Sequence, residues 1–92
     1  MPTIVVDHHL KDFESWFEVF KSNPPPDFGK WHVARGIDDP NRVHVVGVLD
    51  DSEVGALKEH FASDNMKRVF AQVNEHSTKP IEFIWLEDVT PG

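Results

Sequence analysis

Apolar residues along the chain come in short clusters, and the spacing within each cluster predicts an element. Thr3 to His8 opens with the β-branched run Ile4-Val5-Val6 and closes on Asp7, His8 and His9, which reads as a first strand. Phe13, Trp16, Phe17 and Phe20 then recur at i, i+3, i+4 and i+7 behind Asp12, a residue suited to an N-cap, so one face of a helix is aromatic. Asn23-Pro24-Pro25-Pro26 stops that helix, because proline has no N–H to donate and moves the residue before it out of the helical region.

Two further strand-like runs, Lys30 to Ile37 and Arg42 to Leu49, flank the turn cluster Asp38-Asp39-Pro40-Asn41 and read as a β-hairpin. Asp50-Asp51-Ser52 supplies caps and negative charge for a second helix whose apolar side is Val54, Leu57 and Phe61. Ser63-Asp64 interrupts the phase, and Met66, Val69, Phe70 and Val73 begin a new stripe. The segment is either one kinked helix or two consecutive helices. Pro80 to Val89, with Ile81, Phe83 and Trp85 on one side and Ile84 and Leu86 on the other, is the last strand.

The order β, α, β, β, α, β predicts an α+β chain of ferredoxin-like βαββαβ type, a four-stranded antiparallel sheet with its helices on one face. The strands are nevertheless apolar on both sides, Val43 and Val45 against Val46 and Val48, and Phe83 and Trp85 against Ile84 and Leu86. Helices on one face leave the other bare, a patch of the kind that marks an interface, and a two-fold partner set sheet against sheet would bury it. A homodimer is therefore expected from patterning alone. At 92 residues the chain has room for one domain, 1–92, burying about 60–65% of its unfolded surface, so the added burial would help.

Composition narrows the partners. Seven Phe and three Trp carry enough area to fold the chain, whereas a net charge of −7 repels nucleic acid and anionic lipid. Without cysteine there are no disulfides, thiolate metal sites or cysteine nucleophiles, and Ile4-Val5-Val6 is too short for a signal or a membrane span. A cytoplasmic location is expected.

Three stretches carry a resemblance to the dimeric α+β barrel superfamily: Asp12-Phe13-Glu14-Ser15-Trp16-Phe17-Glu18-Val19-Phe20, Asp38-Asp39-Pro40-Asn41-Arg42-Val43, and Phe61-Ala62-Ser63-Asp64 followed by Met66-Lys67. The superfamily includes antibiotic biosynthesis monooxygenase-like proteins, haem-degrading enzymes and lactone isomerases, and the resemblance implies a sheet-to-sheet dimeric barrel with a pocket in each subunit. It implies no haem, because the positions of the haem degraders' Trp and ligating His hold His60 and Phe70 here. The pocket tyrosine of the quinone-forming monooxygenases has no counterpart in a chain without Tyr.

Six histidines are the main chemical hint, since imidazole exchanges protons near neutral pH. His32 and His44, in the hairpin strands, and His60, beside the apolar face of the second helix, are the candidate catalytic residues, or else they are solvent-facing or boundary residues. Trp31, Phe83 and Trp85 are the candidate walls of an aromatic pocket, or else core. Glu82 and Glu87 could orient a pocket histidine. His8 and His9 could ligate a metal with Asp7, but adjacent strand residues point to opposite faces, and no metal or cofactor is expected. The acidic Asp50-Asp51 and Glu53 are explained by helix capping. The expected function is that of a small cofactor-independent monooxygenase- or isomerase-like enzyme for an apolar small molecule; the alternative is a non-catalytic ligand-binding or structural dimer module.

Overall fold

A computed structural model of the chain describes residues 1–89. Its elements are β1 (Pro2–His9), α1 (Phe13–Ser22), β2 (Lys30–Arg35), β3 (Arg42–Val48), a 3-10 turn (Asp51–Glu53), α2 (Val54–Phe61), α3 (Asp64–Glu75) and β4 (Glu82–Glu87). The strands form one antiparallel sheet in the order β2-β3-β1-β4, the ferredoxin-like α+β topology expected from the pattern. β1 is an inner strand: Val6 lies opposite Val45 of β3 and Phe83 of β4, and Asp7 lies opposite His44 and Glu82.

Local chemistry sets the helix ends. The Asp12 carboxylate accepts from the backbone N–H of Ser15 at 3.0 Å and from its hydroxyl at 2.8 Å, which caps α1. At the far end, Asn23 Nδ2 donates to the Val19 carbonyl at 3.0 Å before the three prolines begin. Ser63 resolves the ambiguity of the second helical stripe. Its hydroxyl accepts from Met66 N–H at 3.2 Å and donates to the His60 carbonyl at 2.7 Å, so it caps α3 while tying off α2, and the chain forms two helices.

The core lies between the helices and one face of the sheet. Ile4, Val6, Val43, Val45 and Leu49 from the strand side meet Trp16, Leu57, Val69 and Val73 from the helices, all buried. Strand alternation puts Val5, Val46, Val48, Ile84 and Leu86 on the opposite face, where they are half-buried or exposed. At Gly47 the sheet face is left flat, and the Trp31 ring lies against it: a Cβ added there would fall 2.5–2.7 Å from three ring carbons. The indole is also held by its N–H, which donates to the Phe28 carbonyl at 2.9 Å.

Candidate functional site

A cavity remains where α1, α2 and α3 do not quite close on the sheet. β1 contributes Val6 and His8, β2 contributes Trp31 and β3 contributes Val45. Val19 and Phe20 of α1 and the loop Asn23–Pro26 form one wall. The opposite wall comes from α2 and α3, with His60, Phe61, Met66, Val69 and Phe70. The cavity has a volume of ≈ 70 Å³ and opens to solvent. Lys, Arg, Asp and Glu are all absent from its lining.

His8 is the chemically distinctive residue of this cavity. It is 4% exposed, and its ring packs on Trp16 with centroids 5.1 Å apart. Its Nδ1 is fully buried and has no hydrogen-bond partner among the described residues. Most buried polar side-chain atoms in folded proteins are paired, so an unpaired one asks for a reason. Burial pushes the imidazole pKa down to about 4; the neighbouring Asp7 charge pulls the other way, and His44 adds a smaller downward push. At neutral pH the ring is therefore uncharged, with one N–H and one bare nitrogen. In an apolar space a neutral imidazole can accept a proton from a bound molecule or hydrogen-bond to it.

Asp7 occupies the other face of β1, and a separate polar group gathers around it. Arg42 grips its carboxylate with two bonds, Nε to Oδ1 at 2.9 Å and an η-nitrogen to Oδ2 at 3.0 Å. His44 Nε2 lies 3.1 Å from Oδ1 and His9 Nε2 lies 3.5 Å from Oδ2. The Arg42 hydrogen bonds hold the Asp7 pKa below its ordinary value against the opposing effect of burial, with the Arg42, His44 and His9 charges assisting. Among the described residues, no three His, Asp or Glu side chains are placed to share a metal ion.

The residues singled out in the sequence divide between these locations. His60 and Trp31 line the cavity with His8. Phe83 and Trp85 lie outside it on a shallower surface with Phe61, Phe70 and Lys58, and are 38% and 37% exposed. Lys58 Nζ sits 5.1 Å from the Trp85 ring centroid. His44 belongs to the Asp7 group, and His32, exposed opposite Val46, shares that face. Glu82 and Glu87 are exposed at the ends of β4. His8 entered the sequence reading only as a metal ligand beside His9. The signal that finds it is its phase with Ile4 and Val6, two residues apart along β1 on the core face.

No family model matches the chain, and no curated protein matches it in sequence. Solved structures do match its fold. A variant of SnoaB, a cofactor-independent oxygenase from Streptomyces nogalater, superposes with a TM-score of 0.78 at 17% identity, covering 98% of this chain and 94% of that one. A conserved protein from Methanosarcina mazei Go1 gives 0.76 at 18% identity over 92% and 89% of the two chains. A protein described as an antibiotic biosynthesis monooxygenase gives 0.73 at 14% identity over 98% and 100%. The chain thus has the fold of solved proteins described as antibiotic biosynthesis monooxygenases. Fold at this identity does not carry activity with it. No helix among the described residues is long and apolar enough to cross a membrane.

Proposed function

We propose that the chain is a cofactor-independent enzyme that takes an apolar small molecule into the cavity and moves a proton between it and His8, working as a homodimer in the cytoplasm. The observation that carries this reading is the neutral imidazole of His8 on the lining of a cavity that has no Lys, Arg, Asp or Glu. An acidic O–H or C–H of the ligand gives its proton to the bare nitrogen, leaving an imidazolium beside a ligand anion. The low dielectric of the site strengthens the attraction between the two charges. Returning the proton to a different atom isomerises the ligand. Alternatively the anion reduces O₂, so that a CH₂ group and O₂ become C=O and water, with the oxidant supplying the new oxygen. The description of SnoaB as a cofactor-independent oxygenase supports the second course.

His60, on the same cavity, is proposed as the second proton carrier. His32 and His44 enter the reading differently, because they lie on the face where Val5, Val46, Val48, Ile84 and Leu86 invite a second copy of the chain. Sheet-on-sheet packing of two such faces would bury that apolar area and enclose the Asp7 group.

The test is oxygen uptake and product analysis with cyclic ketones that carry an acidic CH₂, comparing the unaltered protein with His8→Asn. A His general base contributes about 10²–10⁴-fold, so His8→Asn should lose at least two orders of magnitude in kcat. Full activity in that variant would refute the role of His8. The paucity of polar groups in the cavity favours one other reading, a carrier module, which predicts ligand retention with neither oxygen uptake nor isomerisation and a change in affinity alone when His8 is replaced.

A further inference from the structure

The bare face of the sheet carries a set of charges that the proton-transfer chemistry leaves unused. Residues paired across the strands share a face, so Val46 and Ile84 stand with Asp7 and His9 of β1, Lys30 and His32 of β2, Arg42 and His44 of β3, and Glu82 of β4. We infer that this face is an acid-sensitive contact between two copies of the chain, closed at neutral pH and opened when His9, His32 and His44 take up protons; the inference rests on the homodimer proposed with the function.

Charge favours a second copy as the occupant. With the imidazoles neutral, the carboxylates Asp7 and Glu82 balance the cations Lys30 and Arg42, and the strand residues of this face carry no net charge. The chain as a whole carries −7, so its excess acid lies elsewhere, and this is a face on which two copies repel little. Val5, Val46, Val48, Ile84 and Leu86 lie among these groups, half-buried or exposed, and a second copy would remove them from water.

Acid changes the balance in one direction. A two-fold axis sets each face against an identical one. Three protonated imidazoles give this face of each copy three positive charges, and the partner brings three more to meet them. The side chains of His9 and His44 are 25% and 42% exposed, and His32 is exposed, so all three reach water in the separate chain and lose it under a partner. Desolvation and like charge both oppose the charged imidazole. Asp7 does not offset this. Its carboxylate accepts two bonds from Arg42, and His44 at 3.1 Å and His9 at 3.5 Å share it alike in the separate and in the assembled chain. Glu82 ends the row that runs from His44 through Asp7, one strand further away. Assembly thus lowers the hold of these imidazoles on protons, so its strength is full where they are neutral and is lost as pH falls.

Sedimentation of the untagged full chain at about pH 7.5 and about pH 5.5, either side of the imidazole range, tests this, with far-UV dichroism recorded at both. An imidazole of ordinary pKa, about 6.5, that assembly keeps uncharged lowers affinity about tenfold over that interval. One per copy makes two per dimer, so Kd should rise at least about 100-fold. Replacing all three, His9→Gln with His32→Gln and His44→Gln, leaves no imidazole on this face and should give the same Kd at both values. Repeating the comparison in a His8→Phe background keeps acid unfolding through His8 out of the result. A dimer whose Kd does not change with pH overturns the inference and leaves the homodimer standing, and so does a triple variant as acid-sensitive as the unaltered chain. A monomer at both values refutes the homodimer itself, and this contact with it.

Discussion

Replacing His8 with Phe isolates the energetic consequence of burying an imidazole. In the folded chain its pKa lies at about 4, against an ordinary value of 6.5, because burial penalises the charged form. Above pH 6.5 the ring is neutral whether the chain is folded or not, and it contributes no pH dependence. As pH falls from 6.5 toward 4 the unfolded chain takes up a proton that the folded chain refuses, so stability is lost. At about 1.4 kcal/mol per pH unit, the gap between 6.5 and about 4 amounts to about 3 kcal/mol. That is a large part of the margin of a small domain, which is about 5–15 kcal/mol. Urea unfolding at fixed protein concentration reads it directly. With a slope of about 1 kcal/mol/M for a chain of this size, the unaltered protein should lose about 2–3 M of its midpoint between pH 7 and pH 4 beyond what His8→Phe loses. Phe keeps a ring against Trp16 and removes the unpaired nitrogen, so at pH 7 the variant should be about 1–3 kcal/mol more stable. Parallel pH profiles for the two proteins would refute the reasoning, since they would mean that His8 protonates freely in the folded state.

Asp7→Asn should weaken the grip of Arg42 and destabilise the fold by about 1–2 kcal/mol in the same assay, a modest cost because the Arg42 side chain is 45% exposed and can turn to water. It should also shift the His8 titration further down, because the Asp7 charge is what opposes the effect of burial; an upward shift seen by imidazole NMR would contradict this. The unaltered protein should sediment as a dimer at micromolar concentration and Val46→Lys, on the bare face of the sheet, as a monomer with unchanged far-UV dichroism; a monomeric unaltered protein, or a variant that stays dimeric, would remove this face as an interface. Leu57→Ala, at a fully buried site in α2, should cost about 2–5 kcal/mol in thermal or urea unfolding.

Much of the fold was legible along the chain because its signals are local. The 3.6-residue period of Phe13, Trp16, Phe17 and Phe20, the capping residues Asp12 and Ser63, the stop at Pro24 and the turn at Asp38 to Asn41 each act within a few residues. They set the order of elements, and the order restricts the sheet to few topologies. The two-sided apolar character of the strands was equally plain, and with it the bare face.

The site was less legible, for a reason that lies in β1. Ile4-Val5-Val6 is apolar on both faces, so alternation separates Asp7 from His8 without saying which of them the helices cover. That choice is made by contacts far apart in sequence. Val6 pairs with Val45, which sets the face, and Arg42 reaches Asp7 across 35 residues to satisfy the carboxylate on the other side. The same register carries His44 away from the cavity and leaves His60, delivered by a helix, on it. The sequence by itself determined which elements form and that both sheet faces are apolar, because period and capping are properties of neighbours. Only the tertiary structure decided that His8 lies buried on the cavity side with its Nδ1 unpaired and Asp7 paired on the other face, because burial and pairing depend on what the rest of the chain brings to each face.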